Sequence, residues 1–123
     1  MTITLNLSPA AVALAAADVI ERQGLARGDF YDQEACLPPH TSPVCVLGAV
    51  AVAAGFDPHV WEDDRQWTPA FRLALDTADM LIDWLGLDHD ESYVDSLGRW
   101  SDERDAATVV RELCNAALEV LEP

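Results

Sequence analysis

Lysine is missing from this chain. All seven basic residues are arginine, and they face 22 acids, which leaves a net charge of −15. Without lysine there is no side-chain amine for Schiff-base chemistry. A surplus of negative charge this large repels nucleic acid and anionic membrane, so neither is expected as a direct partner. It also loads the compact state with self-repulsion while keeping the protein dispersed in water. A partner steered by electrostatics would be a protein with a basic surface, or a cation. The other reading of the acidity is that it only solubilises.

Long apolar runs are also missing. No stretch approaches the roughly 18 residues a membrane-spanning helix needs. Residues 9–17 resemble the apolar core of a signal peptide, but no basic segment precedes them. The run also passes into Asp18, Glu21 and Arg22 at helical spacing. A signal peptide is therefore not expected, and the absence of targeting points to the cytoplasm. The three cysteines, Cys36, Cys45 and Cys114, form no C-x2-4-C pair, and their odd number argues against a disulfide framework. There is no G-x-S-x-G, no phosphate-binding glycine loop and no H-E-x-x-H, and the three histidines are scattered. The chain is not expected to be an enzyme, and no cofactor is expected.

What is present is a globular composition. Half of the 123 residues are hydrophobic, enough for a single domain with a real core. TITLNL at 2–7 alternates and reads as a short strand or an extended arm. Ser8 followed by Pro9 is a helix start, a hydroxyl cap before a proline at the first helical position. That helix runs to about Gln23 with Val12, Ala16, Val19 and Ile20 inward, and Gly24 stops it. Residues 25–43, with Gly28 and three prolines, form an irregular connector. VCVLGAVAVAA at 44–54 is apolar all round and reads as a buried central helix closed by Gly55; alternating valines make a buried strand the competing assignment.

Thr68 and Pro69 repeat the cap-plus-proline pair. The helix after them turns Phe71, Ala74 or Leu75, Ala78, Leu81 or Ile82, and Leu85 inward; Trp84, beside this stripe, reads as core, and Gly86 stops the helix. An acidic loop follows, and Asp105 caps a last helix whose inner stripe is Val109, Val110, Leu113, Ala117, Val120 and Leu121. The expected fold is all-α, one domain over residues 1–123, an orthogonal bundle of four to five helices.

Two constellations carry candidate binding chemistry. Asp76, Asp79 and Asp83 recur at helical spacing and place three carboxylates along one face. Glu62, Asp63 and Asp64, then Asp88, Asp90 and Glu91, can extend that face into a partner-binding surface. In its sharper form this surface imitates the phosphate row of DNA. Most such rows are simply solvated outer faces. The alternative function is a small metal- or ligand-binding protein using Cys36, His40 and Cys45 from CLPPHTSPVC, residues 36–45. Cys45 and Cys114 otherwise read as small buried hydrophobes. Asp88, Asp90 and Ser92 imitate the start of a calcium loop, but Tyr93 stands where that loop needs glycine and Arg99 where it needs glutamate. Of the four tryptophans, Trp100 reads as a core plug, and Trp61 as either a plug or an interface anchor.

Three stretches together carry a resemblance: RQGLARGDF (22–30), VCVLGAVAVAAG (44–55) with the following FDPHVW, and RWSDERDAATVVRELCNAAL (99–118). They resemble small uncharacterised helical proteins of actinobacteria and their phages. Those read G-W-x-x-G-x-[FY], then C-x-L-G-A, then W-N-D before a final helix. Here Leu25 replaces the tryptophan and Ser101 the asparagine. The resemblance implies a helical fold and carries no established activity. It groups Gly24 and Gly28 as turn formers, Cys45 and Gly48 in the buried helix, and Trp100 with Asp102 at the entry to the last helix. Asp102 or Asp105 would cap that helix, so the W-[NS]-D pattern is accounted for without a ligand.

Overall fold

The computed structural model describes residues 8–26, 43–55, 61 and 68–121. These form an all-α bundle: α1 (Pro9–Gln23), α2 (Val46–Ala54), α3 (Pro69–Leu85), a π-helical turn (Val94–Gly98) running directly into the short α4 (Arg99–Asp102), and α5 (Ala106–Leu121). Five helices are present among the described residues, and no strand. The N-terminal arm and most of the connector lie outside them.

The helix ends are built by local chemistry. Ser8 Oγ accepts from the Ala11 N–H at 3.2 Å and Thr68 Oγ1 from the Phe71 N–H at 3.1 Å, each just before a first-turn proline. Asp105 Oδ1 accepts from the Thr108 N–H at 2.8 Å at the start of α5. Each such cap satisfies an otherwise orphaned donor and is worth about 1 kcal/mol. Gly55 and Gly86 close α2 and α3 in the left-handed region, at φ 93° and 69°, where a side chain would be strained.

α2 is the centre of the bundle. Val46 through Ala51 are all buried, and α1, α3 and the π-helical turn pack around it. The helical assignment wins over the strand because a helix satisfies its backbone internally wherever it is buried. Burial of Val46, Leu47 and Val50 contributes about 1.5–3 kcal/mol each before conformational entropy is charged against it. α1 lies across α2 and also along α5. On α1 the buried side chains include Val12, Ala16, Val19 and Ile20, as the periodicity predicts. A bridge between Leu25 and Val44 joins the two ends of the connector, with Ala26 N–H donating to the Val44 carbonyl at 2.9 Å and Val44 N–H to that of Gly24 at 3.1 Å.

Three expectations need correction, and one open choice is decided. Residues 87–103 are not simply an acidic loop, because the π-helical turn and α4 bury Ser96, Leu97, Trp100 and Ser101. Trp84 is not core: it is 39% exposed, and its indole N–H reaches from α3 to Glu112 on α5 at 3.0 Å. Val120 is 53% exposed; the inner face of α5 is Val109, Leu113, Ala116 and Ala117. Of the two readings of Trp61, its burial fits the core plug. It is 9% exposed, packs edge-on to Phe71 with ring centres 5.7 Å apart, and donates its indole N–H to the buried Leu47 carbonyl at 2.8 Å.

Candidate functional site

The carboxylates of α3 do not stand alone. The chain after Gly86 folds back along the helix and is fastened to it at two points. His89 Nε2 lies 2.6 Å from Asp83 Oδ1, and the Tyr93 hydroxyl donates to Asp79 Oδ1 at 2.9 Å. Within this return, Asp88 Oδ1 accepts from the Asp90 N–H at 2.8 Å and Ser92 Oγ from the Asp95 N–H at 3.1 Å. The D-x-D-x-S sequence is therefore a turn followed by a helix cap, local roles that short polar side chains favour.

The fold-back brings the acids of α3 and of the return onto one surface. Asp76, Asp83, Asp88, Asp90, Glu91 and Asp95 are all exposed. Asp76 faces Arg72 at 3.4 Å and keeps a side-chain exposure of 47%, while Asp83 keeps 74% beside His89. Asp79 is half-buried under Tyr93, so the row presents its two ends and not its middle. Ion pairs this exposed contribute little to stability, which leaves the carboxylates at small cost to meet another molecule. Burial, then the contact with Asp79, pushes the Tyr93 phenol up to about 12. Its ring lies 5.8 Å from that of Trp61, so this contact ties the acidic strip to the core. Glu62, Asp63 and Asp64 lie outside the described residues.

The cysteine and histidine candidates divide in the same way. Cys36, His40 and Gly28 lie outside the described residues. Cys45 is 4% exposed at the N-terminus of α2, and its Sγ accepts from the Gly48 N–H at 3.4 Å. Burial pushes its thiol up to about 11, which favours the protonated form over a thiolate ligand. Cys114 is half-buried on α5, and desolvation, then Glu21, raises its pKa. Among the described residues no three His, Cys, Asp or Glu side chains cluster to hold a metal ion.

Ser101 is the residue that sequence reasoning missed. It is fully buried, and its Oγ accepts from the Val46 N–H at 3.2 Å, 55 residues away. Ser101 and Cys45 thus share the orphaned donors at the start of α2. The W-S-D stretch thus serves α2, and the cap of the last helix is Asp105. Trp100 is 8% exposed, with the Arg104 guanidinium 5.3 Å from its ring centre. Trp100 and Arg104 lie between two clefts. One of about 270 Å³ is lined by Asp88, Glu91, Ser96, Arg99 and Glu103 among others, and one of about 410 Å³ by Trp84, Thr108 and Arg111 among others.

The chain belongs to a family of unknown function, DUF6197, whose model matches residues 4–119. No curated protein and no solved structure matches it. No helix among the described residues is long and apolar enough to cross a membrane.

Proposed function

We propose that this member of the family is a non-enzymatic acidic module that binds a protein through a basic surface on that partner. The observation that supports it is the pair of contacts fastening the return segment to α3, Tyr93 to Asp79 and His89 to Asp83. They turn acids separated in sequence into one exposed strip held on a packed helix. A rigid strip of one sign steers association and selects a partner of opposite charge. In the sharper form the partner is a nucleic-acid-binding protein of an actinobacterial host, and the chain modulates or inhibits it as a phage-encoded mimic of DNA. The cytoplasm is the compartment that fits.

The test is capture of partners from an actinobacterial lysate, with and without excess duplex DNA, followed by affinity measurement with the purified partner. Asp76→Lys with Asp83→Lys reverses the two ends of the strip and spares the Tyr93 contact. Binding should weaken at least about tenfold and lose most of its salt dependence. Unchanged affinity on reversal overturns the reading. Displacement by DNA selects the mimic form, and indifference to DNA leaves a basic partner of another kind.

A further inference from the structure

The strip ends at the 270 Å³ cleft, whose lining includes Asp88, Glu91, Ser96, Arg99, Trp100 and Glu103. Ser96 lies inside the π-helical turn, is 3% exposed, and its hydroxyl has no hydrogen-bond partner among the described residues. An unsatisfied buried hydroxyl costs about 1–3 kcal/mol, so a fold that keeps one invites the question of what would satisfy it. π-helical turns recur at functional sites for a related reason, since the irregular turn costs stability and is seldom kept without use.

The charges around Ser96 decide the sign of the missing partner. Arg99 Nη2 lies 2.7 Å from Glu91 Oε2, and Arg104 Nη1 lies 3.5 Å from Glu103 Oε2, so both guanidiniums already face carboxylates. Asp88 faces no cation among the described residues, and the whole chain adds the field of its −15 charge. An anion would enter against that field and a cation with it. The walls include Leu87 and Trp100, apolar surface suited to an alkyl stem behind a charged head.

We propose that this cleft receives one cationic side chain of the protein partner, a lysine or arginine whose head donates to Ser96 Oγ and to the surrounding carboxylates. The proposal rests on the acidic-strip reading and places one anchor at the end of that strip, where a buried charge-assisted bond would supply specificity.

Capped single residues test it without the partner. N-acetyl-arginine amide and N-acetyl-lysine amide are titrated into the 15N-labelled protein, with the citrulline and norleucine analogues as uncharged controls. At least one cationic probe should shift the amides of Leu87, Glu91, Ser96 and Leu97, and the neutral controls should not. Ser96→Ala should fold, melt at or above the parent temperature because a buried hydroxyl without a partner is removed, and bind the probe about tenfold more weakly. Glu103→Gln should weaken it without that gain in stability. Shifts absent from the cleft, shifts equal for citrulline, or unchanged affinity in Ser96→Ala overturn the cleft. An oligoarginine peptide separates the two readings. If it binds through Asp76 and Asp83 but ignores Ser96→Ala, the cleft falls while the strip stands. If the capped cations bind at Ser96 while strip reversal leaves partner affinity unchanged, the strip falls and the pocket is upheld as a cation site.

Discussion

The Tyr93 hydroxyl donates to Asp79 at 2.9 Å while the same ring lies 5.8 Å from Trp61. One side chain thus joins the hydrophobic core to the acidic strip, and its titration reports on both. Its pKa is raised to about 12, first by burial and then by Asp79, above the unfolded value of about 10. A group whose folded pKa is raised stabilises fully below the unfolded value and loses that contribution as pH climbs to the folded one. Stability should therefore fall between about pH 10 and 12. Tyr93→Phe should cost about 1 kcal/mol near neutral pH, and the deficit should shrink across that alkaline window. Urea unfolding at pH 7, 10 and 11.5 checks this; a constant deficit would mean that the hydroxyl is not the titrating group.

Ser101→Ala removes the acceptor of the Val46 N–H at a fully buried position. The donor is then stranded at the start of the most buried helix, and the expected loss is about 1–2 kcal/mol. Ser8→Ala, which removes an exposed cap on α1, should cost less, because water can replace its oxygen. Equal costs in chemical denaturation would show that burial of the Ser101 bond adds nothing.

Capping chemistry and periodicity are local, and that is why they were legible. Ser8-Pro9, Thr68-Pro69 and Asp105 announce three helices, and Gly24, Gly55 and Gly86 mark three ends. Trp84 misled because it neighbours Ile82 and Leu85 in sequence, while its angular position on α3 sends the indole out toward Glu112. The π-helical turn lay beneath a dense run of acids. The spacing of Leu97, Trp100 and Ser101 was its only trace, at about one helical turn. The reach of Ser101 to Val46 is a tertiary bond, invisible to any window of consecutive residues. The α3 carboxylates were found as a row, yet the fold-back that binds Asp79 and Asp83 to Tyr93 and His89 depends on the turn at Gly86, which periodicity does not describe.

A chain of −15 charge should gain stability from salt alone. Screening shortens the reach of repulsion to about 10 Å at 0.1 M, and the strip gathers several exposed acids on one surface. Between 20 and 300 mM sodium chloride the melting temperature should rise by about 4 °C, corresponding to about 1 kcal/mol. In the double variant Asp76→Lys, Asp83→Lys the rise should be smaller. The contacts it loses, the Arg72 ion pair and the His89 hydrogen bond, are exposed and weak, so they should not mask the effect. An equal rise in both proteins would place the repulsion elsewhere on the surface.

Thiol chemistry discriminates the two cysteines of the described core. Cys45 is 4% exposed, its Sγ is engaged by the Gly48 N–H, and burial holds its pKa at about 11. Cys114 is half-buried on α5, with its pKa raised by desolvation and by Glu21. Because the thiolate is the attacking species, Cys45 is protected twice over, by access and by protonation. With iodoacetamide at pH 8, peptide mass spectrometry should show Cys114 labelled at least about a hundredfold faster. Cys45 should react only through opening of α2, at a rate that rises with denaturant. Its raised pKa also means that the stability it contributes is complete below pH 9 and is lost toward pH 11. Cys45→Ala should remove that alkaline dependence along with the cap on Gly48. Rapid labelling of Cys45 in the native protein would instead require the start of α2 to open at little free-energy cost, contrary to its burial and to the bond that Ser101 accepts from Val46.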